Sequence, residues 1–233
     1  MSLYETILDY SKDVFRNIPS IQPTQNLFDD LSDDADNWEA ANNLEIDTHN
    51  PIENSPLIQR GFEYSENAFI DYPFENLTTS RFSDGQVPSW YASETLKTTI
   101  YETVYHFVKG VNDSIEAFAG EQVIKTDRRV AQASCIGIAI DLSSKAEEHP
   151  WLIDPINYSR CQEIGKRIAT EGHPLLRVKS ARDLDGINIV AFKSTILSNV
   201  REYCYLKYSL SLINQEVTVS RGEEVLMVIK KQW

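Results

Sequence analysis

Apolar positions recur along this chain in two periods, and the switch between them marks its elements. Leu3, Ile7, Leu8, Val14 and Phe15 fall at helical spacing, so Leu3–Phe15 reads as an amphipathic helix ended by Pro19 and Pro23. From Gln22 to Asn54 the pattern lapses into a polar, acidic stretch that carries only scattered anchors such as Phe28 and Trp38. Arg60–Phe74 is dense in aromatic residues. Val87–Ala92 is short, aromatic and bounded by breakers, which predicts a strand, with Asp84-Gly85 as a turn before it. Ser93 is placed to cap a helix whose buried stripe is Leu96, Ile100, Val104 and Phe107. Glu102 lies off that stripe, free to face a cleft or solvent without burying an unpaired charge.

Downstream the period shortens. Val123–Thr126 and Val130–Leu142 read as two strands joined near Asp127-Arg128. In the second, Ile136, Ile138, Ile140 and Leu142 share one face, while Cys135, Gly137 and Ala139 share the other. A helix over Ile156–Thr170, ended by Glu171-Gly172, separates these from strands at Pro174–Val178 and Ile187–Phe192. The tail alternates over Tyr203–Ile213, Glu216–Ser220 and Val225–Lys230, a β-meander with a turn at Arg221-Gly222. The whole predicts an α+β class: one mixed domain over 56–233, preceded by an acidic extension over 1–55. No regular βαβ repeat, G-x-G-x-x-G loop, P-loop or G-x-S-x-G elbow occurs in it.

Charge sharpens this division. The net charge is −13, and residues 1–55 hold twelve acidic side chains against Lys12 and Arg16, so nearly all of the excess sits in the extension. Such a chain lacks the basic footprint of a nucleic-acid binder, so no direct nucleic-acid partner is expected. Cys135, Cys161 and Cys204 are far apart and odd in number, which points to buried thiols rather than a disulfide frame or zinc site. No run has the length of a membrane helix and no signal peptide is visible, so a cytoplasmic location and no membrane partner are expected.

One stretch concentrates the chemistry. Residues 81–106 read RFSDGQVPSWYASETLKTTIYETVYH and deliver Arg81, Tyr91 and Glu102 at fixed spacing. Taken singly, each is more often a surface or capping residue. Together they have the residue types for cleaving an N-glycosidic bond to ribose. A lone carboxylate stabilises an oxocarbenium-like state, arginine suits a pyrophosphate, and an aromatic face suits a planar base. His106, one turn after Glu102, is placed to pair with it. A Glu102/His106 metal pair lacks a third ligand, so no metal is expected.

Arg-Phe-Ser-Asp-Gly, then Trp-Tyr-Ala-Ser, then Glu-Thr-Val-Tyr-His, with the later Ser-Ala-Arg, resembles the RES domain family from about Pro56 to Lys230. The resemblance implies an ADP-ribosyltransferase-like split β core that holds NAD⁺ as a substrate. It also implies a toxin that destroys NAD⁺ by hydrolysis or phosphorolysis, or transfers ADP-ribose to a protein. A cognate antitoxin or immunity protein covering the cleft is the implied partner. Carried over by position, the catalytic set is Glu102, Arg81, Tyr91 and Ser180, of which Arg81, Tyr91 and Ser180 also bind the NAD⁺; Arg60, by residue type alone, is a second candidate for binding it. Two features depart from the family pattern: the acidic extension, and Phe82-Ser83 where Trp-Asn is frequent. A catalytically silent interaction module on the same fold is the alternative they leave open.

Overall fold

In the computed structural model, residues 3–20 and 69–230 are described, and Arg60, Phe28 and Trp38 lie outside them. The first finding is a correction. Ile7–Pro19 forms strand β1, not a helix. Its residues meet both patterns, because Tyr10 and Val14 are four apart and also on one face of an extended chain. The choice is settled by a partner more than a hundred residues away: β1 runs antiparallel to β5 (Val123–Asp141) from Ile7↔Ile140 to Pro19↔Arg128. The acidic 1–55 extension expected from charge thus contains a strand of the central sheet.

The remaining elements are β2 (Thr79–Ser80), β3 (Ser83–Asp84), β4 (Trp90–Ser93), α1 (Leu96–Asp113), α2 (Ser159–Thr170), β6 (Leu175–Lys179), β7 (Ile187–Ala191), β8 (Leu197–Ser211), β9 (Glu216–Arg221) and β10 (Glu224–Lys230). Residues 69–75 are also helical. One eight-stranded mixed sheet has the order β1-β4-β7-β6-β5-β8-β9-β10, and the extra β1–β5 pairing closes its first five strands into a ring. β5 is a single strand rather than two. Along one edge it pairs first with β8 and then, over Ala139–Asp141, with β6, which is the sheet's only parallel pairing among the described residues. The fold is α+β, with β5 joining the two halves of the sheet as it changes partner from β8 to β6.

Three apolar clusters fill it. Trp90, fully buried, packs with Phe69, Tyr10 and Val14 over the small face of β5, formed by Ala131, Ala133, Cys135 and Ala139. Small residues are buried here because a tryptophan occupies the space above them. The alternation in β5 holds, but Ile136 and Ile138 are on the outward face, at 60% and 51% exposure. The α1 stripe, Ile100, Val104, Val108 and Val111, packs on β8 and β9; α2 packs through Cys161, Ile164 and Ile168 on β6 and β7.

Helix boundaries shift for local reasons. Thr95, not Ser93, caps α1, its Oγ1 accepting from the Thr98 amide at 3.1 Å; Ser93 instead donates to Asn188 Oδ1. The helix expected from Ile156 begins later. Asp154 Oδ1 accepts from the amides of Ile156 and Asn157, closing a turn, and the helix starts at Ser159.

An ion network clamps four strands. Arg177 on β6 donates to Glu94 at 2.7 Å and to Asp141 at 3.1 Å, and Lys12 on β1 reaches Glu94 at 3.0 Å. Burial pushes the Glu94 carboxyl up, but hydrogen bonds and charge from Arg177 and Lys12 outweigh it and hold it below its ordinary value. A depressed carboxyl stabilises the fold above its unfolded pKa of roughly 4.3, and that stability is lost as pH falls through the folded value. Glu94→Gln is therefore expected to cost about 2 kcal/mol at neutral pH. Thermal melts of both proteins at several pH values should show the gap closing below about pH 4; a gap unchanged by pH would mean that the ion network is not its source.

Candidate functional site

Arg81 lies in the two-residue turn of the β2–β3 hairpin, where Thr79 pairs with Asp84 and Ser80 with Ser83, and Gly85, at φ +90°, leads the chain on from β3. Arg81 Nη1 donates to the carbonyl oxygens of Asp154 (2.7 Å) and Leu152 (3.4 Å), and its guanidinium lies 4.3 Å from the centroid of the Tyr158 ring. Carbonyls and a ring face hold the group in place while leaving its charge uncompensated. Tyr91, on β4, braces this segment from beneath. Its hydroxyl accepts from the Phe82 amide at 2.8 Å and is bonded to Ser80 Oγ at 3.0 Å. Burial pushes that phenol up to about 12, so it stays neutral.

Glu102 stands on α1. Its Oε1 accepts from Ser180 Oγ and from Asn188 Nδ2, both at 2.6 Å, while Oε2 makes no hydrogen bond among the described residues. Two donors on one oxygen fix the carboxylate's rotamer and leave the other oxygen for a ligand. Ser180 lies behind it, only 3% exposed. The Ser180 oxygen also accepts from the amides of Arg182 and Asp183 at 3.0 Å each, so both its proton and its lone pairs are engaged. The loop that presents it is anchored by Asp183, which takes a hydrogen bond from Thr98 and an ion pair from Lys97 at the start of α1. Ser180 thus positions Glu102.

These groups surround one cleft of about 600 Å³. Arg81, Tyr91, Glu102, His106 and Asn188 line it, together with Tyr72, Tyr158, Thr103, Lys179 and Arg182. Arg16 and Asn17, from β1, and Arg128, from β5, complete the far wall. Among the described residues, the cleft therefore carries four arginines, one lysine and a single carboxylate, in a chain whose net charge is −13. Asn17 donates to the Tyr208 hydroxyl at 2.8 Å, and that hydroxyl is 2.9 Å from Thr103 Oγ1, so β1 is registered against the residue next to Glu102.

Of the residues singled out from the sequence, Arg81, Tyr91 and Glu102 line the cleft, while Ser180 stands behind it, bonded to Glu102. No hydrogen bond joins His106 to Glu102, whose Oε1 takes Ser180 and Asn188 instead. His106 stands at the mouth edge-on to Tyr105, its imidazole held below its ordinary value by burial, with Glu102 opposing and Arg182, Arg81 and Arg128 adding to the effect. Arg182, expected only to brace the site, enters the cleft wall with its guanidinium over the Tyr105 ring. Asn188 was missed, although one polar residue inside the apolar run Ile187–Phe192 marked it. Nothing local marked Arg16, Asn17 or Arg128.

Comparison with known proteins follows this geometry. Residues 57–211 match the family model described as RES domain. Among solved structures, a chain in the crystal structure of the M. tuberculosis MbcT–MbcA toxin-antitoxin complex is similar at a TM-score of 0.48 and 12% identity, over 86% of each chain. No curated protein matches. Among the described residues, no helix is long and apolar enough to cross a membrane.

Proposed function

Since the chain belongs to the RES domain family, with the match spanning 57–211, we propose that it cleaves the nicotinamide–ribose bond of NAD⁺. The observation that carries the reading is the half-engaged carboxylate: Glu102 Oε1 is fixed by Ser180 and Asn188, and Oε2 is left open in a cleft where, among the described residues, Glu102 is the only carboxylate against five Arg and Lys side chains. The C1′–N bond breaks with its electron pair going to the ring nitrogen, so nicotinamide departs neutral and needs no proton. Positive charge develops on the ribose, and Glu102 lies beside it, with Oε2 accepting from a ribose hydroxyl. Arg81 and Arg182 share the Asp154–Tyr158 segment as their support and take the pyrophosphate. The acceptor, water or phosphate, attacks C1′ and releases its proton to solvent. A cognate antitoxin or immunity protein that covers the cationic cleft is the partner this reading calls for.

The test is the NAD⁺ concentration over time with purified protein, in buffers with and without phosphate. Loss in both points to hydrolysis; loss only with phosphate points to phosphorolysis. Persistence of NAD⁺ in both, together with no labelled ADP-ribose on any protein in an extract, would sink the reading in favour of a silent module.

Ser180 has a separate consequence. Ser180→Ala removes one of two donors to Glu102 and strands two amides. Turnover of NAD⁺ is expected to fall about 10–100-fold, mostly in kcat, with about 1–2 kcal/mol of stability lost. Initial rates and thermal melts check the two parts. A rise in KM with kcat intact would instead mean that Ser180 contacts the substrate.

A further inference from the structure

Asn188 stands on β7 in the wall of the cleft, between Ser93 and Glu102. Its neighbours decide which way round its amide sits. Glu102 Oε1 lies 2.6 Å from one end, and a carboxylate only accepts, so that end is the NH₂ group. The carbonyl end, Oδ1, then faces Ser93 Oγ at 2.7 Å, and the Ser93 hydroxyl donates to it. Ser93 is itself fixed: it is 3% exposed and paired in register with Asn188 on one side and with Phe15 of β1 on the other. A flipped amide would set its oxygen against the carboxylate.

The Asn188 nitrogen carries two hydrogens. One goes to Glu102 Oε1; the other has no acceptor among the described residues. Glu102 shows the converse, with Oε1 filled by Ser180 and Asn188 and Oε2 open. The unused donor is bonded to one oxygen of the carboxylate, and the unused acceptor is the other oxygen. The two are therefore no further apart than one hydrogen bond and the width of a carboxyl group. A single hydroxyl oxygen can reach both, giving its proton to Oε2 and accepting the Asn188 hydrogen on a lone pair. A carbonyl oxygen could satisfy only the donor, and a methylene neither.

We propose that Asn188 contacts the substrate: its second amide hydrogen donates to the ribose hydroxyl on the carbon next to C1′, whose own proton goes to Glu102 Oε2. Ser93 sets the amide for that contact. The inference rests on the NAD⁺ reading, because a carboxylate beside the breaking bond has that hydroxyl as its neighbour. As C1′ becomes positive, the hydroxyl proton grows more acidic and its bond to Oε2 strengthens, so a group that holds the same oxygen from the other side acts on kcat. Asn188 thereby makes the cleft selective for a ribose that keeps this hydroxyl.

The experiment compares initial rates of the full chain, as wild type, Asn188→Ala and Ser93→Ala, on NAD⁺ and on the NAD⁺ analogue with hydrogen in place of that hydroxyl. The analogue's glycosidic bond is the more labile, since it lacks an electron-withdrawing neighbour, so its cleavage stays measurable. Asn188→Ala is expected to lower kcat about 100-fold on NAD⁺ but only about tenfold on the analogue, where it removes nothing but the hold on Glu102. Ser93→Ala leaves the Asn188 side chain in place and is expected to cost about three- to tenfold on NAD⁺, and less on the analogue. A general loss of structure would lower both substrates alike. Equal factors on the two substrates, or an undiminished kcat on NAD⁺, would overturn the contact while the NAD⁺ reading stands. If the wild type consumes neither dinucleotide, the NAD⁺ reading falls and the contact falls with it. Where Asn188→Ala melts below the assay temperature, Ser93→Ala decides by the same comparison.

Discussion

Glu102→Gln is expected to reduce NAD⁺ turnover at least about 10³-fold while leaving the fold intact. The glutamine carbonyl can still accept from Ser180 and Asn188, the two bonds that fix this side chain to the loop after β6 and to β7. What it loses is the negative charge beside a developing oxocarbenium ion. In a site walled by arginines that charge has no substitute, and about 4 kcal/mol of transition-state stabilisation corresponds to the stated factor. The melting temperature should stay within a few degrees of wild type, because the hydrogen-bond geometry survives. Undiminished turnover would remove Glu102 from the mechanism; equal collapse of turnover and melting temperature would make it a structural residue instead.

Gly165→Ala is expected to be the most damaging single methyl group in the molecule. A Cβ at this position in α2 would lie 1.9 Å from the carbonyl oxygen of Phe82 and 2.7 Å from its carbonyl carbon. The obstacle is backbone, so no rotamer change relieves it, and Phe82 is itself fully buried. The helix must move off β3, which also displaces Arg81 and breaks the Gln162 donation to the Ser80 carbonyl. A loss of about 3 kcal/mol, or roughly 6–12 °C in melting temperature, is expected. Gly110→Ala supplies the control. It too is a helical glycine, but an added Cβ there meets nothing within 4 Å, so neutrality or a gain of up to about 1 kcal/mol is expected from helix propensity. Similar melts for the two variants would contradict the close approach of α2 to Phe82.

The unequal success of sequence reading has a physical basis. Elements whose pattern and partner are both local were readable: the α1 stripe, the Asp84-Gly85 turn and the meander from Glu216 to Lys230 behave as their periodicity predicts. Glu102 and Ser180 were readable as a pair only through resemblance, since nothing in a separation of 78 positions says that their side chains meet at 2.6 Å. β1 was misread because a strand with buried residues at 10 and 14 satisfies a helical spacing too, and only β5 decides between them. For the same reason Arg16 looked like one of two cations in an acidic extension rather than part of a cleft wall. Ile136 and Ile138 mark the converse limit: alternation fixes which residues share a face, but which face turns inward depends on Trp90, contributed by another strand.

The closed ring of five strands has a consequence for synthesis. β1 is made early, yet its main partner is residues 128–140 of β5. At ~5–20 residues per second, β1 waits on the order of 6–24 s on the ribosome before that partner exists. Asn188, which completes the hold on Glu102, follows it by 86 positions. The carboxylate is therefore made long before the groups that aim it. The nascent chain thus carries an unpaired strand until residues 128–140 are made, and an unaimed glutamate until Asn188 is made.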